Sequence, residues 1–498
     1  MSKLLDKARD YEKEQYDKIP AELRPAFHLT PWVGWINDPN GFSYHDGYYH
    51  MFYQYHPYDV RWNSMYWGHA VSRDLLHWEY RPVALAPDES YDQHGCFSGS
   101  AITLEDGRHL LMYTGVHPSD EDPKRDAQHQ CIAIGDGRDY EKVANNPVLS
   151  VSDIPAGDDK IDFRDPKIIR LKDNTYVALC ANLSADGSGQ ILMYRSEDCL
   201  SWKFWKVLAK NQNRYGKMWE CPDFFEIDGM WYLITSPQFI LAEGYEFISG
   251  NGTLWLDGSF DEETGEFVEA GHHRSIDYGI DFYAPQTVLT PDGRRIMIGW
   301  MQNWDSTEVR GEEDLPWFGQ MTLPRELFVK DGILCQKPTK ELEDLRHAPV
   351  TYENEGFTGS KAFSGIAGQI IDLTISLRAA DPQKVYQKFS VHFAEKDGHY
   401  TALDFDPQEQ TLTIDPRFSL IRHAGIHQRT CSIEGSGNGD LKLRLILDRR
   451  SVEVFINDGE KVMSAIVFAD PEADGISFHA KGGVKMDLCK YELDESVK

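Results

Sequence analysis

Five turn signals recur at similar intervals along the first three-fifths of this chain. The pairs are Asp46-Gly47, Asp106-Gly107, Asp173-Asn174, Asp228-Gly229 and Asp292-Gly293, and the intervals between them are 60, 67, 55 and 64 residues. An Asp-Gly pair between apolar runs is a strong β-hairpin signal, because it supplies the positive φ that a tight turn needs. Repetition at this spacing is typical of blades arranged around an axis. The sequence therefore predicts a five-bladed β-propeller.

One register on these blades is rich in acids. The residues eight positions before each turn Asp are Asp38, Ser98, Asp165, Glu220 and Ala284. The first strand of a propeller blade lies nearest the axis, so these positions converge at the mouth of the central channel. A single Asp before Pro begins a turn about as often as it acts in catalysis, but three acids at one register favour a site. We expect Asp38, Asp165 and Glu220 to face one pocket.

The pattern changes near residue 350, where period-two alternation such as Leu441–Leu447 and Ser451–Ile456 predicts a β-sandwich. The fold class is therefore all-β, with a five-bladed β-propeller followed by a C-terminal β-sandwich. We expect a helical extension over 1–26 with its helix reaching about residue 24, the propeller over 27–337, a linker with a short helix over 338–349, and the sandwich over 350–498. The acids of the sandwich are predicted to be solvated charges without a catalytic role.

Composition limits the partners and the compartment. The net charge is −29, from 80 acidic and 51 basic residues, and such a field repels nucleic acid and anionic membrane surfaces. No apolar stretch is long enough to span a bilayer, and the charged N-terminus lacks a secretory apolar region, so a cytoplasmic protein is expected. The eight cysteines and 18 histidines lack metal-site spacing. No metal and no cofactor are expected.

The three acids lie among aromatic and amide side chains. The segments are Trp35–Gly41, Phe163–Pro166 and Trp219–Asp223. Glycoside hydrolysis needs one ionised carboxylate as nucleophile, a second carboxyl group as general acid, and rings that pack on sugar faces. Carboxyl groups about 5 to 5.5 Å apart would retain the stereochemistry, whereas a wider gap would admit water and invert it. The sequence therefore predicts a carbohydrate-cleaving site.

The same segments carry a family resemblance that spans almost the whole chain. Trp-Ile-Asn-Asp-Pro-Asn-Gly at 35–41, Arg-Asp-Pro at 164–166 and Glu-Cys-Pro at 220–222, with Phe97–Ser100, Asp281–Ala284 and Leu323–Glu326, closely resemble glycoside hydrolase family 32. The segment Asp448–Phe455 resembles the C-terminal sandwich of that family. Several motifs in the same order make a chance match very improbable.

The resemblance implies a retaining β-fructofuranosidase with a small fructose-containing carbohydrate as its substrate. It implies that Asp38 is the nucleophile, Glu220 the general acid and then base, and Asp165 the stabiliser of the transition state. It also implies sugar contacts from further residues, namely Trp35, Asn37, Gln54, Trp62, Phe97, Ser98, Arg164, Tyr283 and Trp300. The residues themselves permit these roles, since Arg164 could keep Asp165 ionised.

The exact substrate stays open at this stage. The segments Ala84–Glu89 and Gly95–Ser100 look most like the bacterial intracellular branch of the family, which contains sucrose and sucrose-6-phosphate hydrolases; short fructo-oligosaccharides are also possible substrates. A phosphate would favour cations at the rim, and the candidates by sequence position are Lys124, Arg125, Arg214 and Lys217. Fructosyl transfer, an inverting arabinan-cleaving hydrolase and a non-catalytic sugar-binding propeller remain as alternatives. The oligomeric state is not predicted.

Overall fold

The computed structural model describes residues 2–119, 124–307, 315–421 and 428–496. Its strands form five blades and a separate C-terminal sheet domain, which confirms the predicted all-β propeller fold. Blade I contains β1 (Gly34–His45), β2 (Tyr48–His56), β3 (Tyr66–Ser72) and β4 (Trp78–Leu85), and blade II contains β5 (Gly95–Thr103), β6 (His109–Pro118), β7 (Asp126–Gly135) and β8 (Tyr140–Lys142). In each blade the first strand is the innermost.

Blades III to V follow the same pattern. Blade III contains β9 (Phe163–Arg170), β10 (Tyr176–Leu183), β11 (Gly189–Ser196) and β12 (Lys203–Lys210), and blade IV contains β13 (Trp219–Ile227), β14 (Met230–Pro237), β15 (Leu254–Asp261) and β16 (Glu266–Ser275). Blade V contains β17 (Tyr283–Leu289), β18 (Arg295–Trp300), β20 (Arg325–Lys330) and β21 (Ile333–Pro338), with the short β19 (Trp317–Phe318) inserted before β20.

All five predicted turns join the first and second strands of a blade, but they are of two kinds. In blades I and IV both turn residues have positive φ, as at Asp46 and Gly47 with 46° and 80°. In blades II, III and V the loops are longer and only Gly107, Asn174 and Gly293 have positive φ. The two-residue loops therefore match the tight hairpin that Asp-Gly favours, and the others are wider variants of it.

The ring is closed by β19 rather than by a chain terminus. This strand pairs in parallel with the top of β1, so that Gly34 lies opposite Trp317 and Trp35 lies opposite Phe318. The insertion of blade V thus adds a fifth strand to the sheet of blade I. The last blade and the first blade are thereby linked at the mouth of the channel.

The N-terminal helix α1 covers Lys3–Tyr16 and is shorter than the sequence prediction of about 24 residues. Pro20 explains the difference, because a proline disfavours helical backbone at the residue before it. The helix packs on blade I, where the Arg9 Nε donates to the Val83 carbonyl at 2.9 Å and Glu12 accepts from the Val83 N–H at 3.0 Å. No helix among the residues placed by the structure is long and apolar enough to cross a membrane.

The C-terminal domain begins where a 3₁₀ turn, Lys340–Leu345, leads directly into its first strand. Its strands are β22 (Arg346–Lys361), β23 (Ile371–Ala379), β24 (Lys388–Lys396), β25 (His399–Asp406), β26 (Thr411–Asp415), β27 (Arg429–Ser432), β28 (Leu441–Asp448), β29 (Ser451–Ile456), β30 (Lys461–Ile466) and β31 (Gly475–Leu493). The 19-residue β31 pairs with β24 through its first half and with β23 through its second. Strands from both halves bury one common apolar core.

The prediction that the acids of the sandwich are solvated is wrong for Asp448 and Glu453. Both are buried against the propeller, where His28 lies between them, 2.8 Å from Asp448 and 3.0 Å from Glu453. Arg325 contacts Glu453 at 2.6 Å and Asp277 at 2.9 Å. We call these five residues the interdomain cluster. Alternation along β29 identified which residues face inward or outward, but not that its outer face meets a second domain.

Candidate active site

Every inner strand interrupts its hydrogen-bond ladder at the register of the predicted site. The irregularities fall between Ile36 and Pro39, Phe97 and Gly99, Arg164 and Lys167, Glu220 and Asp223, and Tyr283 and Gln286. A β-bulge bends the strand and re-aims a side chain. Asp165, Cys221 and Ala284 also have positive φ of 59°, 49° and 49°. The acids are therefore presented by distorted backbone on a rigid ring of sheets.

Asp38 is held by neutral hydrogen-bond donors. The Ser98 hydroxyl donates to Asp38 Oδ2 at 2.7 Å, and the Asn37 amide donates to Oδ1 at 3.1 Å. The Trp35 indole N–H donates to the Asn37 oxygen at 2.6 Å and so fixes the amide. The Cys221 thiol lies 3.5 Å from Asp38 Oδ2. These contacts orient the carboxylate without placing a positive charge on it.

Asp165 shares a donor with Asp38 and lies beside a guanidinium. The Cys221 N–H donates to Asp165 Oδ2 at 3.0 Å, and the Cys221 thiol is 3.6 Å from the same oxygen. The Asp165 N–H donates to the Thr114 hydroxyl at 2.9 Å, which connects blade III to blade II. The Arg164 Nε lies 3.9 Å from Asp165 Oδ2. One thiol therefore lies between the first two acids.

Glu220 has the strongest polar partners of the three acids. The Arg164 Nη2 donates to Glu220 Oε1 at 3.1 Å, and the Tyr283 hydroxyl donates to Oε2 at 2.6 Å. Arg164 itself is anchored by Asp162 at 2.6 Å and by the Gln128 side chain at 3.2 Å. The Glu220 side chain is 15% exposed against 6% for Asp165, so it is the more accessible of these two acids.

The electrostatics of the site follow from burial and from an excess of acids. Burial, followed by the negative charge of Glu220, raises the pKa of Asp38 to about 6, although three neutral donors act in the opposite direction. Burial and the charges of Glu220 and Asp38 also raise the pKa of Asp165 against the effect of Arg164. Three carboxyl groups thus face one guanidinium. Asp38 and Asp165 therefore retain protons at pH values where isolated aspartic acids would lose them.

The predicted aromatic sugar contacts divide into buried and exposed rings. Trp35 and Trp300 are fully buried, and Trp35 stacks on Phe318 with ring centres 4.7 Å apart. Trp62 is 45% exposed and meets Phe97 edge to face at 5.8 Å. The structure therefore places Trp62 and Phe97 where a ligand can reach a ring, whereas Trp35 and Trp300 pack beneath the site.

The polar sugar-contact candidates also differ in position. Asn37 and Ser98 touch Asp38, and Arg164 and Tyr283 touch Glu220. Gln54 is only 2% exposed, and its amide donates to the Cys96 carbonyl at 3.0 Å. Four of the polar candidates are thus part of the acid cluster itself, and Gln54 supports the strand that carries Ser98.

Among the cations proposed for a phosphate, Arg125 is the one that connects to the acids. It pairs with Asp162 at 3.4 Å, and Asp162 binds the Arg164 that contacts Glu220. Arg214 instead packs over the Tyr215 ring at 4.8 Å. The carbonyl of Lys217 accepts from Gly189 N–H at 2.7 Å. Arg125 is therefore the candidate whose contacts lead to the acids.

Several residues of the site were missed by the sequence reasoning. Thr114, Gln128 and Asp162 carry no motif of their own; Thr114 and Gln128 contact the site from blade II, and Asp162 directly precedes β9. Cys221 had a signal, because it follows Glu220 directly in a segment already singled out. Within the described ranges, no group of three or more His, Cys, Asp or Glu residues is arranged to hold a metal ion. All eight cysteines are free, and seven of them are buried.

The fold and the site together define a class of protein. A five-bladed propeller that presents three carboxyl groups beside exposed aromatic rings, backed by a β-sheet domain, is the architecture of a glycosidase. Two family models match the chain in succession, the glycosyl hydrolases family 32 N-terminal domain over residues 28–338 and the family 32 C-terminal domain over 341–494. The chain belongs to glycosyl hydrolase family 32.

Individual relatives agree with this assignment. The sucrose-6-phosphate hydrolase of Escherichia coli is 37% identical over 469 residues, and the alignment covers 92% of each chain. The raffinose invertase of the same organism is 37% identical over 468 residues with 92% coverage of each. A solved β-fructofuranosidase of Bombyx mori superposes with a TM-score of 0.84 at 32% identity, covering 99% of this chain and 98% of that one.

Proposed function

We propose that this protein is a retaining β-fructofuranosidase that hydrolyses the terminal β-D-fructofuranosyl bond of sucrose and short fructo-oligosaccharides. The observation that carries the proposal is the linked arrangement of the three acids. Cys221 lies between Asp38 and Asp165, and Arg164 lies between Asp165 and Glu220. Three blades thus deliver three carboxyl groups to one position, each with a different set of partners.

The partners assign Asp38 as the nucleophile. Its donors are a hydroxyl, an amide and a thiol, so above its pKa of about 6 it carries a negative charge that no neighbouring cation neutralises. An ionised carboxylate held in one orientation can attack the anomeric carbon of a bound fructosyl unit. The new C–O bond then replaces the bond to the leaving sugar.

Glu220 is the general acid and then the general base. Its proton goes to the glycosidic oxygen as that bond breaks, and it later takes a proton from the water that hydrolyses the fructosyl-enzyme. The Tyr283 hydroxyl and Arg164 hold the two oxygens of Glu220 separately, which fixes the direction of the carboxyl group. After the second step both acids are restored to their starting protonation states.

Asp165 stabilises the positive charge that builds on the sugar ring. It is nearly buried, and it accepts the Cys221 N–H, so its carboxylate has little freedom to turn away. A preorganised negative charge in a partly dry site acts more strongly on developing charge than the same group in water. Arg164 favours the ionised form that this role needs, against burial and the neighbouring carboxyl groups, which raise the pKa of Asp165.

The configuration of the first-formed product tests the mechanism. Proton NMR during hydrolysis of sucrose should show β-fructofuranose first, with slow mutarotation afterwards, because two displacements restore the configuration. The α-anomer would instead indicate an inverting enzyme. Absence of cleavage, with sucrose still bound, would indicate a sugar-binding propeller. In Glu220→Gln, an aryl β-D-fructofuranoside should react far better than sucrose, because its leaving group needs little proton assistance.

Several relatives support sucrose and its phosphate ester as the substrate class. The curated relatives carry the names sucrose-6-phosphate hydrolase and raffinose invertase, and a Bombyx mori enzyme was solved in complex with sucrose. We propose sucrose as the primary substrate and its phosphate ester as the alternative. If the phosphate ester is preferred, the enzyme acts in the cytoplasm, where a charged sugar ester is retained.

A rate panel separates these substrates. Sucrose, sucrose-6-phosphate, kestose, inulin and levan are compared by kcat/KM, with glucose release and fructose release measured separately. Equal release indicates hydrolysis, and glucose in excess over fructose indicates fructosyl transfer to another sugar through the same intermediate. A preference for sucrose-6-phosphate that disappears in Arg125→Gln would assign this cation to the phosphate.

A further inference from the structure

A buried ion pair lies one step below the acids on the same inner strands. Lys167 follows Asp165 by two residues on β9, and Asp223 follows Glu220 by three residues on β13. The Lys167 Nζ donates to Asp223 Oδ2 at 3.0 Å, and the two side chains are 9% and 0% exposed. This pair joins blade III to blade IV beneath the site.

The pair extends to blade V through Thr287. The Thr287 N–H donates to Asp223 Oδ2 at 2.5 Å, and its hydroxyl donates to Oδ1 at 3.2 Å. The Thr287 carbonyl accepts from the Lys167 Nζ at 3.0 Å. We call Lys167, Asp223 and Thr287 the bulge brace. It ties three blades together, and Arg295 of blade V lies beside it with its Nη1 3.5 Å from the Thr287 hydroxyl.

The positions of these residues coincide with the ends of the bulges. The irregularity of β9 ends at Lys167, that of β13 ends at Asp223, and that of β17 ends at Gln286, next to Thr287. Within a bulge the ladder hydrogen bonds are interrupted, so the backbone that carries the acids is fixed by its two ends. The brace holds the lower end of each of the three segments.

The brace also separates the site from a wide opening on the opposite side of the ring. A cavity of about 570 Å³ there is lined by residues from all five blades, including Lys167 and Thr287. A buried Lys–Asp pair is a costly way to fill space, because an apolar pair of similar volume is often equally stable. The pair also bonds the Thr287 backbone, so it fixes the relative position of three blades as well as filling space.

We propose that Lys167 and Asp223 are positioning residues for catalysis, which set the relative placement of Asp165 and Glu220 by joining the bulges that carry them. They do not touch the substrate. The proposal rests on the proposed function of the two acids above the brace. A displacement of about 1 Å in a reacting group lowers a rate by about a hundredfold, so a modest relaxation of the bulges is sufficient to be measured.

The test compares kcat, KM and thermal stability in three variants that remove the pair and in Lys167→Arg, which keeps the charge. Lys167→Met and Asp223→Asn break the pair, and the double variant Lys167→Met/Asp223→Leu replaces it with apolar side chains. In the double variant we expect a kcat on sucrose lower by about tenfold to a hundredfold and a KM changed by less than about threefold, with a lower melting temperature because the Thr287 N–H loses its acceptor. Lys167→Arg should recover part of kcat by keeping the charge.

A second buried Lys–Asp pair provides the matched control. Lys142 contacts Asp92 and Asp88, with side chains 12%, 0% and 13% exposed, and lies on the outer strand β8 of blade II. Lys142→Met should lower stability and leave kcat unchanged. An unchanged kcat in the double variant would overturn the proposal, as would a loss of kcat that Lys142→Met shows to the same extent at an equal loss of stability. Insoluble protein from all three brace variants would assign a purely structural role and overturn it as well.

A wrong assignment of the three acids would give a different result from a wrong assignment of the bulge brace. If Asp38→Asn still cleaves sucrose at the wild-type rate, the roles given to the acids are wrong whatever the brace variants show. If Asp38→Asn is inactive and the folded brace variants keep full kcat, the acids are assigned correctly and the brace has no part in positioning them. The two results are therefore distinguishable in one set of measurements.

Discussion

The molecule contains two buried clusters of three acids, and they differ in charge balance. At the channel mouth Asp38, Asp165 and Glu220 face one cation, Arg164. In the interdomain cluster the acids Asp277, Asp448 and Glu453 face two cations, His28 and Arg325. The interdomain cluster is fully buried, whereas Asp38 and Glu220 at the channel mouth are partly exposed, so solvent screens the charges at the channel mouth more than those between the domains.

The pKa values record this difference. Burial and like charges raise the pKa values of Asp38 and Asp165, whereas His28 and backbone donors hold the pKa of Asp448 below its usual range and Arg325 and His28 do the same for Glu453. The interdomain cluster therefore favours its ionised state and joins two domains. In the cluster at the channel mouth the carboxyl groups compete for protons. This arrangement favours proton transfer and lowers the stability of the fold.

The largest expected effect is that of Asp38→Asn. Sucrose hydrolysis should fall by about 10⁴-fold or more, because the amide cannot form the fructosyl-enzyme. The same variant should unfold at an equal or higher temperature, since one of three competing charges is removed. Steady-state rates and calorimetry check both parts. A variant that loses activity only because it loses stability would remove the contrast between the two clusters.

Arg325→Met should show the opposite pattern. Removal of the guanidinium leaves Asp277 without a counter-charge and Glu453 with His28 alone in a fully buried place, and breaking a buried ion pair in this way costs about 3 to 5 kcal/mol. The loss is measured by denaturant unfolding, and kcat of the folded fraction should stay near the wild-type value. Exposed Arg378, paired with Asp487 at 2.6 Å, is the control for removal of a guanidinium. An equal loss of unfolding free energy in Arg325→Met and Arg378→Met would contradict the importance assigned to burial.

The pH dependence of stability should report His28. Hydrogen bonds to Asp448 and Glu453 outweigh burial and raise its pKa from 6.5 to about 9. A raised pKa contributes stability that is fully present below 6.5 and is lost as the pH rises through about 9, to a limit of about 3 kcal/mol. Unfolding free energies across this interval check the prediction. His28→Gln should flatten the slope, and an equal slope in both proteins would assign it to other groups.

Ser98→Ala should have the smallest effect and act through pH. The Ser98 hydroxyl stabilises the ionised form of Asp38, so its removal raises the pKa of Asp38 and moves the acid limb of kcat/KM to higher pH. Activity near that limb should fall about two- to tenfold, as expected for one hydrogen bond. At pH 8 the loss should be smaller. A uniform loss at all pH values would indicate that Ser98 contacts the sugar instead.

The comparison also explains what could be predicted from the sequence. The turn register identified five blades and brought Asp38, Asp165 and Glu220 together, because a repeated hairpin fixes which residues reach the axis. The same alternation placed Glu453 on a strand but could not show that its face meets a second domain. Burial against a partner domain depends on contacts more than a hundred residues apart, which no local pattern carries.

Within the site, the sequence did not predict the orientation of the acids. Bulges at Asp165 and Glu220 depend on how neighbouring blades constrain the backbone, so spacing alone did not indicate them. The links from Arg164 to Glu220 and from Asp165 to Thr114 cross between blades for the same reason. The length predicted for the N-terminal helix was wrong for a different reason, because the helix ends before Pro20.

The closure of the ring by β19 has a consequence for biosynthesis. Phe318 stacks on Trp35, whose indole N–H holds the Asn37 amide that donates to Asp38. Tyr283, from the last blade, holds Glu220. A nascent chain that has released only four blades from the ribosome contains all three acids but lacks the residues that aim two of them. Catalytic competence therefore arises late in translation, after residue 318 has left the exit tunnel and the ring has closed.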